Sequence, residues 1–212
     1  MTSTPLAARG QRMPRSERRA QLLEAAQTVF VAHGYHAAAM DEIADRAGVS
    51  KPVLYQHFPG KLDLYLALLD QHCATLERLV REAMSQSPED NHHRVRATVA
   101  AYFDFVNREG AAFRMVFESD LTSEPQVRSR LDALEFACAE AIAEVVADDT
   151  GLDDERSLLI GTALAGMAQV SARHWLAQGA MIPQQDAAEL VGALAWRGLG
   201  SIPRVEPTPT PG

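Results

Sequence analysis

The chain has 212 residues, 47% of them hydrophobic and only 6% aromatic, which allows one large or two small domains and is ample for a buried core. A net charge of −8 would argue against a nucleic-acid partner if it were evenly spread, but residues 1–62 carry eight Lys/Arg against five Asp/Glu and the remainder twelve against twenty-three. Abundant Ala without sustained period-two alternation predicts an all-α chain, and no apolar run reaches bilayer length or forms a signal-peptide core, so a cytoplasmic protein with no membrane partner is expected.

Residues 1–14 mix Pro, Gly, Ser, Thr and Arg without periodicity and read as a disordered basic arm, either a solvated tail or a segment that follows phosphates. From Arg15 to His33, Leu22, Leu23, Ala26, Val29 and Phe30 recur at helical spacing, with Gly34 to end the helix and Tyr35 as a loop aromatic. Asp41 to Phe58 then reads as two short helices around a tight turn. Ile43, Ala44 and Ala47 form an apolar stripe, Gly48 supplies a positive φ, Ser50 an N-cap and Pro52 a first helical turn. Leu54 and Phe58 point inward, leaving Lys51, Val53, Gln56 and His57 on the other face with Tyr55 at its edge. A helix this short is not stable alone, so its polar face is presented outward by the rest of a three-helix head.

Pro59-Gly60 interrupts, and residues 61–84 predict a long helix leading out of the head, its inner side lined by Leu64, Tyr65, Leu68, Leu69, His72, Leu76, Leu79 and Val80. Further helices are expected near 92–108, 110–118, 124–147, 154–178 and 184–199, about nine in all, with a frayed tail over 203–212. The resulting division is an arm (1–14), a head (15–60) and a body (61–202). Cys73 and Cys138 have no close partner and fit buried free thiols. The seven histidines show no zinc-ligand spacing, and neither a phosphate-cradling glycine loop nor a nucleophile elbow is present. No metal, cofactor or catalytic set is expected.

The head resembles the TetR family of bacterial one-component transcription regulators. The residues that carry the likeness are Gly34-Tyr35, I-A-x-x-A-G-V-S at Ile43 to Ser50, L-Y-x-H-F at Leu54 to Phe58 and K-x-x-L-Y at Lys61 to Tyr65. The resemblance implies that the helix opened by Ser50 enters the major groove of double-stranded operator DNA. Lys51, Pro52, Val53 and Tyr55 would then face bases, and Tyr55, His57 and Lys61 would hold phosphates, with Arg15 and Gln56 beside them. Tyr55 capping the head's core and His57 closing a helix end are the structural alternatives. Two positions depart from the family's habit. Ala39 stands where Thr or Ser usually caps the first helix of the motif, so Asp41 or a backbone group must complete that end, and Val53 replaces a frequent hydroxyl.

The body is similar to the actinobacterial regulators of fatty-acid synthesis that sense long-chain acyl-CoA, through Tyr102 to Val106, Phe113 to Leu121 with Glu124-Pro125, and the segment from Gly166-Met167 to Leu176. That likeness implies an apolar cavity lined by Tyr102, Phe103, Val106, Phe113, Phe117, Leu121, Phe136, Met167 and Trp175, which as residues alone are equally an ordinary core. Gly161, Ala165, Ala172, Ala188 and Gly192, with Trp196, allow close helix approach, either inside one chain or, as the family implies, in a homodimer's four-helix bundle. The expected protein is a homodimeric operator-binding regulator answering to a hydrophobic small molecule, such as a long-chain acyl-CoA or fatty acid. The alternatives are a regulator of efflux or catabolism with another hydrophobic effector, and a helical scaffold or enzyme with a DNA-docking head.

Overall fold

The computed structural model describes residues 13–86, 90–108, 121 and 123–199. Among them are eight helices and no strand: α1 (Arg15–Ala37), α2 (Met40–Arg46), α3 (Lys51–His57), α4 (Lys61–Ser85), α5 (Asn91–Arg108), α6 (Pro125–Thr150), α7 (Asp154–Ala177) and α8 (Gln184–Leu199). The all-α reading holds. The segment expected to form a helix at 110–118, most of the basic arm and the C-terminal tail lie outside the described residues. No described helix is long and apolar enough to cross a membrane.

The chain divides into two compact units, residues 1–65 and 66–212. The division falls one turn later than the Pro59-Gly60 break because the first turn of α4 belongs to the head. Tyr65 sits edge-on to Phe30 and Tyr35, at 5.4 and 5.3 Å between ring centres, and Lys61 Nζ donates to the carbonyls of Tyr35, His36 and Ala38 at 2.7, 3.1 and 3.0 Å. The remaining core of the head comes from Leu22, Ala26, Val29 and Phe30 of α1, Ile43 and Ala44 of α2, and Leu54 and Phe58 at α3. Gly34 does not stop α1 cleanly. With φ +72 it kinks the chain, and one further turn follows before Ala38.

In the body, α6 and α7 pack along one another, and α5 lies against α8 and α7. Gly161 makes the first of these contacts possible: a Cβ there would overlap the carbonyl oxygen of Ala139 on α6. Gly192 does the same for α8, where a Cβ would stand 3.3 Å from the Arg96 side chain of α5. α6 ends on Gly151 at φ +70, and α7 opens on Asp153, whose carboxylate accepts the Arg156 N–H at 2.9 Å. At the other end of α7, Trp175 Nε1 donates to the Ile182 carbonyl at 2.8 Å, which ties the loop to α8 back onto the helix.

Candidate nucleic-acid interface and internal cavity

The turn between α2 and α3 is set by backbone bonds. Gly48 N–H donates to Asp45 O and Val49 N–H to Ala44 O, each at 3.0 Å, with Gly48 at φ +62: the paired bonds of a Schellman end. Gln21 of α1 fastens this turn from below, its Nε2 donating to Ala47 O at 3.0 Å while its Oε1 accepts Arg18 Nη1 at 2.7 Å. A basic side chain is thereby fixed beside the start of α3. Arg19 lies over the Phe58 ring at 4.3 Å.

Leu54 and Phe58 are buried, so α3 turns the opposite face outward: Lys51, Pro52, Tyr55 and Gln56 are exposed, and Val53 and His57 half-buried. Arg15, Arg18, Gly48, Ser50, Val53, Gln56 and His57 line one open groove on this face. Of the sequence-predicted set, Arg15, Ser50, Val53, Gln56 and His57 line this groove, Lys51, Pro52 and Tyr55 are exposed elsewhere on α3, and Lys61 is placed differently. Its three ammonium protons are matched by three carbonyls and it also lies 4.6 Å from the Tyr35 ring centre, so it closes the end of α1 inside the head.

Two caps differ from expectation. Ser50 caps α3 through its carbonyl, which accepts from Val53 and Leu54, and its hydroxyl makes no capping bond. No side chain caps α2 at Ala39, and Asp41 is turned instead to Lys51, Oδ2 to Nζ 2.5 Å. That bond, with Asp41's charge, raises the Lys51 pKa, while Asp41 and Glu42 still place negative charge at the α2 N-terminus. His57 is shifted the other way. Partial burial, then the charges of Arg15, Arg19 and Arg18, lower its pKa from the ordinary 6.5.

The body carries a partly open cavity of about 240 Å³. One wall is α5, with Asn91, Arg94, Val95, Thr98 and Val99; facing it are Ile142, Val145 and Val146 of α6, Leu164 of α7 and Trp196 of α8, with Met84, Asp149 and Thr150 contributed from helix ends. None of the seven described residues expected to line a cavity stands on these walls. Tyr102, Phe103, Val106, Leu121 and Trp175 are buried core, Phe103 and Trp175 touching at 5.6 Å between ring centres. Met167 is half-buried. Phe136 is 54% exposed because α6 buries Leu134 and Cys138, and a residue two positions from each projects from the other side. Phe113 and Phe117 lie outside the described residues.

The small residues of α7 and α8 are likewise placed inside the protomer. Gly161, Ala165, Ala172, Ala188 and Gly192 are buried within the single chain, and Trp196 is half-buried with its ring 5.2 Å from that of His92. The surface of these helices carries a different set, Leu159, Val170, Leu190 and Leu194, between 53 and 71% exposed. Their spacing, near i, i+11 on α7 and i, i+4 on α8, was available in the sequence but is masked there by the apolar residues all round both helices.

Comparison with known proteins agrees with this geometry. Residues 22–68 match the family of bacterial regulatory proteins named tetR. The chain is 47% identical over 195 residues to the transcriptional activator FasR of Mycolicibacterium smegmatis, spanning 92% of this chain and 89% of that protein. A TetR-like regulator of known structure from Rhodococcus superposes with a TM-score of 0.71 at 27% identity, over 90% of this chain and all of that one. FadR from Bacillus subtilis in complex with stearoyl-CoA shares the fold, with a TM-score of 0.69 at 17% identity over 83% of this chain and 96% of that one.

Proposed function

The chain belongs to the TetR family of bacterial regulatory proteins, and from that membership we propose that it is a cytoplasmic homodimer that reads an operator through α3 and changes its hold on DNA when an apolar effector enters the body. It is a transcriptional regulator and not an enzyme. The observation that carries the DNA reading is the exposed face of α3. Lys51, Pro52, Tyr55 and Gln56 stand free of the head's core, with Arg15 and Arg18 flanking them. Lys51 and Gln56 offer hydrogen bonds to base edges, Val53 and Tyr55 offer apolar contact to a thymine methyl, and the arginines with His57 hold the backbone.

Two such helices roughly 34–36 Å apart would occupy successive major grooves. Pairing is supported by the exposed apolar residues Leu159 and Val170 of α7 and Leu190 and Leu194 of α8, which a second copy would cover. The effector reading draws on the overall similarity to FasR and on the shared fold of a FadR that holds stearoyl-CoA. On that basis the genes controlled are lipid genes and the effector is a long-chain acyl-CoA or fatty acid. Burial of a chain at about 0.8 kcal/mol per CH₂ can supply the roughly 5.5 kcal/mol that moves a population from 99:1 to 1:99, provided the other state receives the chain poorly. Because α4 contributes side chains to both compact units, it is the element through which the two sites would be coupled.

The test is to titrate acyl-CoA of increasing chain length into a preformed protein–operator complex and to read the DNA affinity, alongside native mass spectrometry of the purified protein. A length-dependent change of tenfold or more supports the reading. An affinity indifferent to every chain length ends the acyl assignment.

A further inference from the structure

Two cations beside the start of α3 are held in opposite ways. Lys51 is paired with the carboxylate of Asp41, which cancels part of its charge. Arg18 is held by a neutral amide instead, its Nη1 donating to Gln21 Oε1 at 2.7 Å. An amide fixes the guanidinium without cancelling its charge. Gln21 Nε2 at the same time donates to Ala47 O at 3.0 Å. An arginine side chain can only donate and a carbonyl can only accept, so one orientation of the Gln21 amide satisfies both bonds and the reverse satisfies neither.

Ala47 closes α2, and the chain then passes through Gly48 and Val49 to Ser50, the N-cap of α3. The two bonds are therefore a continuous link from the guanidinium to the backbone that aims α3. Arg18 is half-buried, whereas Arg15 and Arg19 of the same helix are exposed. It lines the open groove with Gly48, Ser50, Val53 and Gln56. With Nη1 turned to Gln21, the Nε–Nη2 edge, whose two N–H bonds run parallel, is the edge that can meet two oxygens of one phosphate.

We propose that Gln21 is a positioning residue for DNA: it presents Arg18 to a backbone phosphate beside the major groove that α3 enters, and ties that grip to the turn so that phosphate contact and base reading share one register. This rests on the reading of α3 as the helix that enters the groove. The residue type follows from the two neighbours. Glu at this position would hold Arg18 but cancel its charge and set a carboxylate against the Ala47 carbonyl, and an apolar side chain would hold neither.

The experiment is a double-variant cycle in the full-length protein: Arg18→Ala, Gln21→Met and the two combined. DNA affinity is read by anisotropy across a salt series, on a duplex selected from a random library and on a scrambled one, and the urea midpoint of each variant is read without DNA. Arg18→Ala should weaken binding to both duplexes and lower the salt slope by about one. Gln21→Met should weaken binding about fivefold where Arg18 is present and leave it unchanged where Arg18 is absent, while lowering the urea midpoint equally in both backgrounds. A Gln21 that served only the turn would cost the same DNA affinity with or without Arg18, and that result would overturn the proposal. So would an Arg18→Ala variant with wild-type affinity and slope. Operator recognition is scored separately, because a phosphate contact carries no sequence information. Equal wild-type affinity for the selected and scrambled duplexes would count against the operator reading and leave the Arg18 grip to stand or fall on the cycle.

Discussion

Asp41 at the start of α2 holds Lys51 at the start of α3, Oδ2 to Nζ 2.5 Å, across the turn that separates the two helices. Both side chains are more than half exposed, so the pair contributes little to stability and can open readily. Its consequence is electrostatic: the first cation of the recognition face is partly neutralised until DNA replaces Asp41 as its partner. Asp41→Asn should therefore tighten DNA binding, and Lys51→Ala should weaken it and lower the salt slope by about one. Fluorescence anisotropy across a salt series measures both, and an unchanged slope for Lys51→Ala would remove Lys51 from the interface.

Lys61 should behave differently. Removing its ammonium leaves the carbonyls of Tyr35, His36 and Ala38 without their shared donor, at a cost of about 1–3 kcal/mol. Lys61→Met is expected to lower the urea midpoint while the salt slope of DNA binding stays at the wild-type value. A variant of normal stability with a reduced slope would return Lys61 to the phosphates.

The two kinds of residue on α7 separate folding from assembly. Gly161→Ala drives a methyl into the Ala139 carbonyl and should cost about 1–3 kcal/mol of unfolding free energy. Leu159→Glu with Leu194→Glu changes residues that are 71 and 64% exposed in the single chain. That double variant should keep its helical circular dichroism and sediment as a monomer; if it still sediments as the wild type does, pairing uses another face.

His57 gives the head a pH dependence. Its pKa in the free protein is lowered from 6.5 by partial burial and then by Arg15, Arg19 and Arg18, so it is neutral at pH 7. Relative to the unfolded chain, the folded head therefore loses stability as pH falls below about 6.5, until His57 itself takes up a proton. Phosphates beside the same arginines would reverse the shift and favour the imidazolium. Operator affinity should accordingly rise as pH falls from 7, levelling off below the free-protein pKa, and His57→Gln should flatten the rise. NMR titration of the imidazole with and without duplex follows the two pKa values directly, and equal values would contradict a phosphate contact.

What was legible in the chain depended on whether local spacing or distant neighbours decide a residue's place. Gly48 with Val49, and Leu54 with Phe58, act through contacts a few residues away or along one helix face, and their positions followed from the sequence. Lys61 did not, because the carbonyls that hold it belong to residues more than twenty positions earlier. Gly161 and Gly192 declared close helix approach, but only the packed protomer shows that the neighbours are Ala139 and Arg96 of the same chain. Of the residues expected to line a cavity, Tyr102, Phe103, Val106, Leu121 and Trp175 pack into the core, a placement set by neighbours distant in sequence.

Operator recognition by α3 is tested most directly by selection of duplexes from a random library by the full-length protein, followed by a salt titration on the winner and on a scrambled control. The expected result is one near-palindromic sequence, two protomers per duplex, and steeply salt-dependent binding that Lys51→Ala weakens on the selected site. Recovery of no sequence above background, with equal affinity for the scrambled duplex, would contradict operator recognition by α3.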